Sequence, residues 1–549
     1  MTTTQEKVGW GAAIAATLLI LLVAMDQVMM PIATSAIAGE FSTDAGAVQA
    51  IISLVSLVAA PLYIAGGKLG DIHGKKKIFM AGLVLYGSGT LAATLAPNVT
   101  ILMVGWSVVR ALGMVLTIPA SIGLLITNYP DEVQRGQAFA IYGVGGVTAA
   151  LVGPLLMGIS ADALSWRLPF GLETVIAIGT IFLAMRAIKE TEPIEGAKVD
   201  WVGTAITFLA VASIILGSML GGRYGWWLAR RPFMLGETQV NPFGLSPAPL
   251  LMILGVIVFA ILLARLNTIE EKGGQPLFSM KLFDNRTFFT ASLMATVFFI
   301  ISGALPFVVP VFLQQAVGFD GLQTALTMMS LSVGSIILGF ASGSLVQRMQ
   351  PRTLMQIFLG IVAIGMIWLF VTVSLNVTLS QLILPMFVIG CGFGVLSSQL
   401  PNIQMSTLTP DLQGEGSGFA ETGKELGIGL GTAVIGSIMF SMAIGGFVDN
   451  VARQADIPLT AEERAETILL IEDEAVPDRA INAIAQRVPN LEQVGKEAFV
   501  EGFQIALGVL VGVLLVSLLA ASFIPKVEAE EVAAPAVKEA VADVSSKRL

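Results

Sequence analysis

Fourteen apolar runs of membrane-spanning length, separated mostly by short polar connections, constrain this chain more than any other feature. They fall at about 10–36, 45–67, 77–97, 100–127, 136–160, 167–187, 201–222, 248–268, 286–315, 321–346, 353–374, 379–403, 413–447 and 499–524. About 20 apolar residues span a hydrocarbon core as a helix, and a segment surrounded by lipid must satisfy its backbone internally. The expected fold class is therefore an all-α polytopic membrane protein with fourteen transmembrane helices, numbered helix 1 to helix 14 in chain order. Composition agrees. Of 549 residues, 55% are hydrophobic and only 13% charged, whereas a soluble domain carries about 25% charge.

The cationic residues alternate between connections. Lys68, Lys75, Lys76 and Lys77, then Arg135, then Arg186, Lys189 and Lys198, then Arg265, Lys272, Lys281 and Arg286, then Arg348 and Arg352 lie on one side. The connections near 37–44, 97–100, 316–320 and 375–378 contain no Lys or Arg. The positive-inside rule puts the first set, and with an even helix count both termini, in the cytoplasm. Arg223, Arg230 and Arg231 between helices 7 and 8 are the exception. About nine residues, Lys7 among them, precede the first run, which is too long for the apolar core of a cleaved signal and is expected to be retained. Residues 448–498 carry eleven acids and five bases. They are expected outside, as a short helical hairpin, since "TAEERAETILLIEDE" has capping and helical periodicity. The tail after 525 is expected to be a disordered or loosely helical cytoplasmic end.

Several chemistries are excluded. The one cysteine, Cys391, permits neither a disulfide framework nor a cysteine-based metal cluster, and the one histidine, His73, argues against a metal site or a Ser/His/Asp triad. A net charge of −9 argues against nucleic-acid binding. No GxxxxGK[ST] phosphate loop and no soluble domain of ATPase size is visible. No cofactor or metal is expected, and transport would draw on an ion or substrate gradient. A membrane-embedded enzyme or receptor finds no support.

An internal repeat sets the architecture. "IPASIGLLITNYPDEVQRGQAFAIYG" (118–143) resembles "LPNIQMSTLTPDLQGEGSGFAETG" (400–423); aligned on Pro130 and Pro410, Gly136/Gly416, Phe139/Phe419, Ala140/Ala420 and Gly143/Gly423 coincide. "GGKLGDIHGKKKIF" (66–79) is echoed by "SGSLVQRMQPRTLM" (342–355). Both echoes run in the same direction, so two parallel six-helix halves are expected. The domains are 1–190, an inserted pair of helices with linkers at 191–285, a second bundle at 286–524, and the tail 525–549.

"GKLGDIHGKKK" (67–77), in a turn between helices 2 and 3, resembles the signature loop of the major facilitator superfamily. Gly67, Gly70 and Gly74 would permit a tight turn and close helix approach, Asp71 could accept from the N-terminus of a facing helix, and Lys75 and Lys76 would anchor the inner face. "GGVTAALVGPLLMG" (145–158) in helix 5 looks like the motif shared by that superfamily's antiporters, with Gly145, Gly153, Pro154 and Gly158 bending the helix and admitting a close neighbour. "RALG" (110–113) resembles a further motif with a membrane-embedded arginine, Arg110. The six-plus-two-plus-six layout resembles the 14-spanner drug:proton antiporter family over nearly the whole chain. "LVAMDQVMMP" (22–31) looks like its first-helix motif, with Asp26 at the acidic position. "SWRLPFGLE" (165–173) is similar to its helix 6 entrance but has Glu173 where asparagine is usual.

Charges within the membrane cost about 2.5–3.5 kcal/mol each at a helix centre, which makes them the best functional markers. Asp26 lies near the middle of helix 1. Glu421, Lys424 and Glu425 lie in helix 13, with Glu421 and Glu425 on one face; they fall where quaternary-ammonium exporters of the resembled family have acids. That trio reads either as a cation and proton site or as a satisfied cluster snorkelling to the interface. Arg110 reads either as a partner for embedded carboxylates or as a packing donor. Trp106, Phe298, Phe299 and Phe307 are candidate cavity aromatics, with lipid-facing or packing roles as the alternative. The resemblance implies that Asp71 latches onto the start of a second-half helix when the inner side is closed, with helix 13 around Gln413–Gly416 as the candidate. The resemblance implies a proton-coupled exporter of lipophilic, cationic compounds, acting as a monomer in a bacterial inner membrane. A transporter of one defined metabolite or lipid on the same fold is the alternative.

Overall fold

The computed structural model describes residues 9–521, except 130, 192, 194–197, 232, 236–237, 240–243, 347–348, 407, 410–411, 473–483, 485–486 and 489. The repeat anchors Pro130 and Pro410, Arg348, part of the acidic segment and the tail lie outside the described residues. Among those described, fourteen helices are long and apolar enough to cross a membrane. Helices 1 to 7 are Gly11–Ile32, Gly46–His73, Lys75–Thr94, Val99–Asn128, Gln134–Ala163, Arg167–Ala187 and Trp201–Tyr224. Helices 8 to 14 are Pro247–Glu271, Arg286–Val317, Gly321–Ser342, Arg352–Thr372, Leu379–Met405, Glu415–Gln454 and Leu491–Leu519.

Short polar residues start many of these helices. The side chains of Asp44, Asn98, Asp131, Asp200, Ser246 and Asn285 accept from backbone N–H groups two or three residues on, at helices 2, 4, 5, 7, 8 and 9. Each such cap stabilises its helix by about 1 kcal/mol. In the acidic segment, Thr460 and Glu463 cap one another reciprocally ahead of a helix at Ala461–Glu472. That helix lies where the first arm of the expected hairpin would be; most of the segment that would return falls outside the described residues.

The chain makes two cores. Leu19, Met29, Phe79, Tyr86 and Phe170 belong to the core of helices 1–6. Phe298, Phe312, Met386 and Phe503 belong to that of helices 9–14. The described helices thus make two six-helix bundles. The inserted helix 7 lies against the seam between the bundles, where Val211 and Ile215 pack with Leu57, Ala60 and Leu426, and helix 8 packs on helix 7. Beyond helix 7, Arg231 pairs with Glu472 at 2.6 Å.

The signature loop differs from expectation. Helix 2 continues to His73, so Gly67 and Gly70 are helical and the turn is the single residue Gly74. Gly74 has φ +93°, a conformation that strains any residue with a Cβ. Lys75 and Lys76 open helix 3, and Lys76 Nζ donates to Met185 O and Ile188 O, satisfying carbonyls at the end of helix 6. Among the described residues Asp71 forms no hydrogen bond to helix 13 in this conformation; its carboxylate lies 3.5 Å from Lys75 Nζ. The contact with helix 13 is made by Lys68, 3.8 Å from Glu415. Lys68 is one helical turn before Asp71 and longer, so it spans the gap.

Two seams join the bundles. Along the first, helix 2 meets helix 13 over much of its length: Gln49 Nε2 donates to Thr432 O and Ala433 O at one end, and Ile64 touches Gly418 towards the other. Along the second, helix 5 meets helix 10 at the end remote from the chain termini, where Gly158 lies against Gly321 and Ala325 and Leu322 N donates to Asp162 at 3.0 Å. At the terminal end these two helices part. Gly136, Gly143 and Gly146 face open space, and Phe139 and Phe340 are 36% and 71% exposed.

Candidate functional site

Between the bundles lies a cavity of about 290 Å³, lined by both halves. Its wall in the first half is built around Asp26. Helix 1 is apolar on every side, so its one acid is buried wherever the helix packs, and the neighbours supply donors. Arg110 Nη1 donates to Asp26 Oδ2 at 2.5 Å, and the Tyr86 hydroxyl donates to the same oxygen. Trp106 Nε1 donates to Asp26 Oδ1 at 2.9 Å. Arg110 also donates to Trp106 O and lies 4.0 Å from the Trp106 ring centroid, a stacking that suits a planar guanidinium. Residues Met103–Val109 of helix 4 are π-helical, a local widening frequent at functional sites; it brings Trp106 and Arg110 to one carboxylate. Arg110 is thus an ion-pair partner as well as a packing group.

The opposite wall comes from the second half. Glu425, in helix 13, is buried and lines the cavity, and Ser56 of helix 2 donates to its Oε2 at 3.3 Å. Apolar and aromatic side chains, among them Met114, Phe298, Phe307 and Phe393, make up most of the rest of the lining, with Gln27, Thr432 and several serines as its neutral polar groups. The result is a greasy chamber with one carboxylate on each side, each held by neighbours from another helix.

Residues 15–432 match the family model of the Major Facilitator Superfamily. The chain belongs to that superfamily. It is a multi-pass membrane transporter and not an enzyme. Among curated relatives, Multidrug resistance protein 3 of Bacillus subtilis is 26% identical over 444 residues, covering 80% of this chain and 81% of that protein. The Streptomyces coelicolor protein named "Probable actinorhodin transporter" is 25% identical over 455 residues, covering 81% and 75%. A bacterial homolog of the human lysosomal transporter Spinster, solved in an inward-facing, unoccupied conformation, superposes with a TM-score of 0.61 at 15% identity, over 95% of this chain and 98% of that one. This last likeness speaks for the fold.

Within this transporter fold, the sequence candidates separate. Asp26, Arg110, Trp106, Phe298, Phe307 and Glu425 share the cavity. Glu421 and Lys424 form their own ion pair at 2.6 Å, half-buried, and neither lines the cavity. Phe299 also stays out of the lining, with Lys424 Nζ 5.9 Å from its ring centroid. Gly145 and Gly153 receive helix 1, and a Cβ at Gly145 would stand 2.4 Å from Thr17 O. Pro154 is buried beside them, and Gly158 meets the other half. Three participants escaped the sequence reading. Tyr86 and Ser56 are neutral residues with no signal of their own. Glu173 was visible only as a departure from the family pattern, although it is an acid inside a spanning run. It is fully buried.

Proposed function

We propose that the protein exports lipophilic, cationic compounds in exchange for protons by alternating access, as a monomer in a bacterial inner membrane with both termini in the cytoplasm. The observation that carries this reading is the pair of buried carboxylates, Asp26 and Glu425, on opposite walls of one apolar chamber. A carboxylate can hold either a proton or a cation, so competition for it exchanges one for the other. Apolar walls with Met114 and three phenylalanines suit cargo recognised by greasiness and charge rather than by a rigid pattern of hydrogen bonds. One proton moving down 100 mV supplies about 2.3 kcal/mol, enough for an approximately fifty-fold gradient of a neutral substrate.

The relative named as a multidrug resistance protein supports this breadth. The relative named for actinorhodin supports a second reading, export of one secreted metabolite. The test is purified protein in proteoliposomes, with ethidium as monovalent probe and an imposed pH gradient. Proton-driven ethidium movement that is lost in Asp26→Asn is the expected result. Transport of a single metabolite with no movement of a panel of cationic dyes would select the second reading.

A further inference from the structure

We propose that Glu173 is a second acid of the Asp26 cluster, sharing with Asp26 one proton and the single positive charge of Arg110. Glu173 sits in helix 6 with no exposed surface, and among the described residues neither of its carboxyl oxygens has a hydrogen-bond partner. Asp26, by contrast, receives three donors. Geometry sets Glu173 at the level of the cluster: its neighbour Thr174 bonds Thr90 at 2.9 Å, Ala177 one turn on packs against Gly87, and Tyr86 beside Gly87 donates to Asp26. At that position Asp26 and Arg110 both act on Glu173 electrostatically. Helices 1, 3 and 5 pack against helix 6. Helix 1 brings Asp26 to this acid and helix 3 brings Tyr86; Arg110 reaches it from helix 4, and helix 5 brings no ionisable side chain into the cluster.

The charges decide what this arrangement can do. One guanidinium compensates one carboxylate, and a second ionised carboxylate with no donor is not sustained in a buried site. Two acids and one cation therefore keep one proton between them. That proton has two places. In one, Asp26 keeps Arg110, the pairing seen here, and Glu173 carries the proton. In the other, the proton leaves the Glu173 carboxyl and bonds to Asp26, while Arg110 shifts its hydrogen bond from Asp26 to the new Glu173 carboxylate. The cluster is neutral before and after.

Only Asp26 and Arg110 line the cavity; Glu173 does not. The exchange thus switches the charge on the cavity wall without changing the buried charge as a whole. Glu173 acts through Asp26 and is a positioning residue for its ionisation state. An asparagine, usual here in the resembled family, could hydrogen-bond but could not hold the proton.

This inference rests on the proposed proton coupling, but its test needs neither substrate nor gradient. Infrared difference spectra of detergent-purified protein at neutral pH report the carbonyl band of protonated carboxylic acids. Wild type should show a band that disappears in Glu173→Gln. It should disappear as well in Asp26→Asn, because Glu173 then ionises against Arg110. Glu173→Asn, which keeps a polar side chain, serves as the folding control and should show the same loss. A band that survives Asp26→Asn makes Glu173 an independent structural acid and overturns the proposal, as does a spectrum unchanged by Glu173→Gln. Reciprocal loss of the band in a protein that moves no cation in proteoliposomes would uphold this inference while removing the export reading.

Discussion

Arg110 is the residue on which the first-half wall depends. It is buried, bonds Asp26 and Trp106 O, and stacks on the indole. Arg110→Ala leaves Asp26 without its cation and should cost about 3–5 kcal/mol, read as a lowered Tm in detergent. Adding Asp26→Asn should restore part of that loss. A double variant no more stable than Arg110→Ala would show that the pair contributes nothing beyond packing. In the second half, the geometry separates the two acids. Glu425 lines the cavity, whereas Glu421 is engaged by Lys424 outside it. Glu425→Gln should therefore reduce divalent cationic dye export at least tenfold, and Glu421→Gln only severalfold, when initial rates are compared at equal expression. The cost of embedded charge made Asp26, Arg110, Glu421 and Glu425 legible in the sequence. Which of them meet in one chamber was not legible, because a helix apolar on all sides carries no periodicity to say which face turns inward. Tyr86 and Ser56 were hidden for the same reason.

At the scale of elements, the helices and their starts were written in local chemistry: apolar runs bounded by Asp, Asn or Ser caps. The π-helical segments at Met103–Val109 and Gly431–Ile435 were not, since they answer to packing between helices rather than to propensity. The glycines of helix 5 were legible as a packing motif, but their division of labour was not. Gly145 and Gly153 face helix 1 within the bundle, while Gly158 faces Gly321 and Ala325 across the seam. At Gly158 a Cβ would stand 2.6 Å from Gly321 O and 2.7 Å from Ala325 Cβ, so Gly158→Leu must push helices 5 and 10 apart. Overpacking of this kind costs about 1–3 kcal/mol, charged here to one conformation of the transporter. The far end should open: a cysteine placed at Asp162 should label faster with a water-soluble maleimide in Gly158→Leu than in the parent. Unchanged labelling would mean that the seam tolerates separation elsewhere and that Gly158 does not hold this end.

For the whole molecule, the two seams imply different duties. Helices 2 and 13 touch from Gln49 to Lys68, with helix 7 packed behind them. Helices 5 and 10 touch only at the end remote from the termini. These two run antiparallel, and five full turns from the Gly158–Gly321 contact Ala140 comes level with Gly339 on the same sides of the two helices. Ala140 is exposed here, and closure of that end would cover it. Rocking of rigid bundles predicts that the two ends close alternately. The single native cysteine, Cys391, makes a cysteine-free parent one substitution away. In that background the pair Asp162→Cys/Leu322→Cys should react with a short bifunctional reagent in the resting state, and Ala140→Cys/Gly339→Cys should not. A ligand or proton load that reverses access should exchange the two reactivities, and locking either pair should stop transport until the link is cut. Simultaneous cross-linking of both pairs in one population would show that the ends move independently, and the rocking-bundle account would then fail.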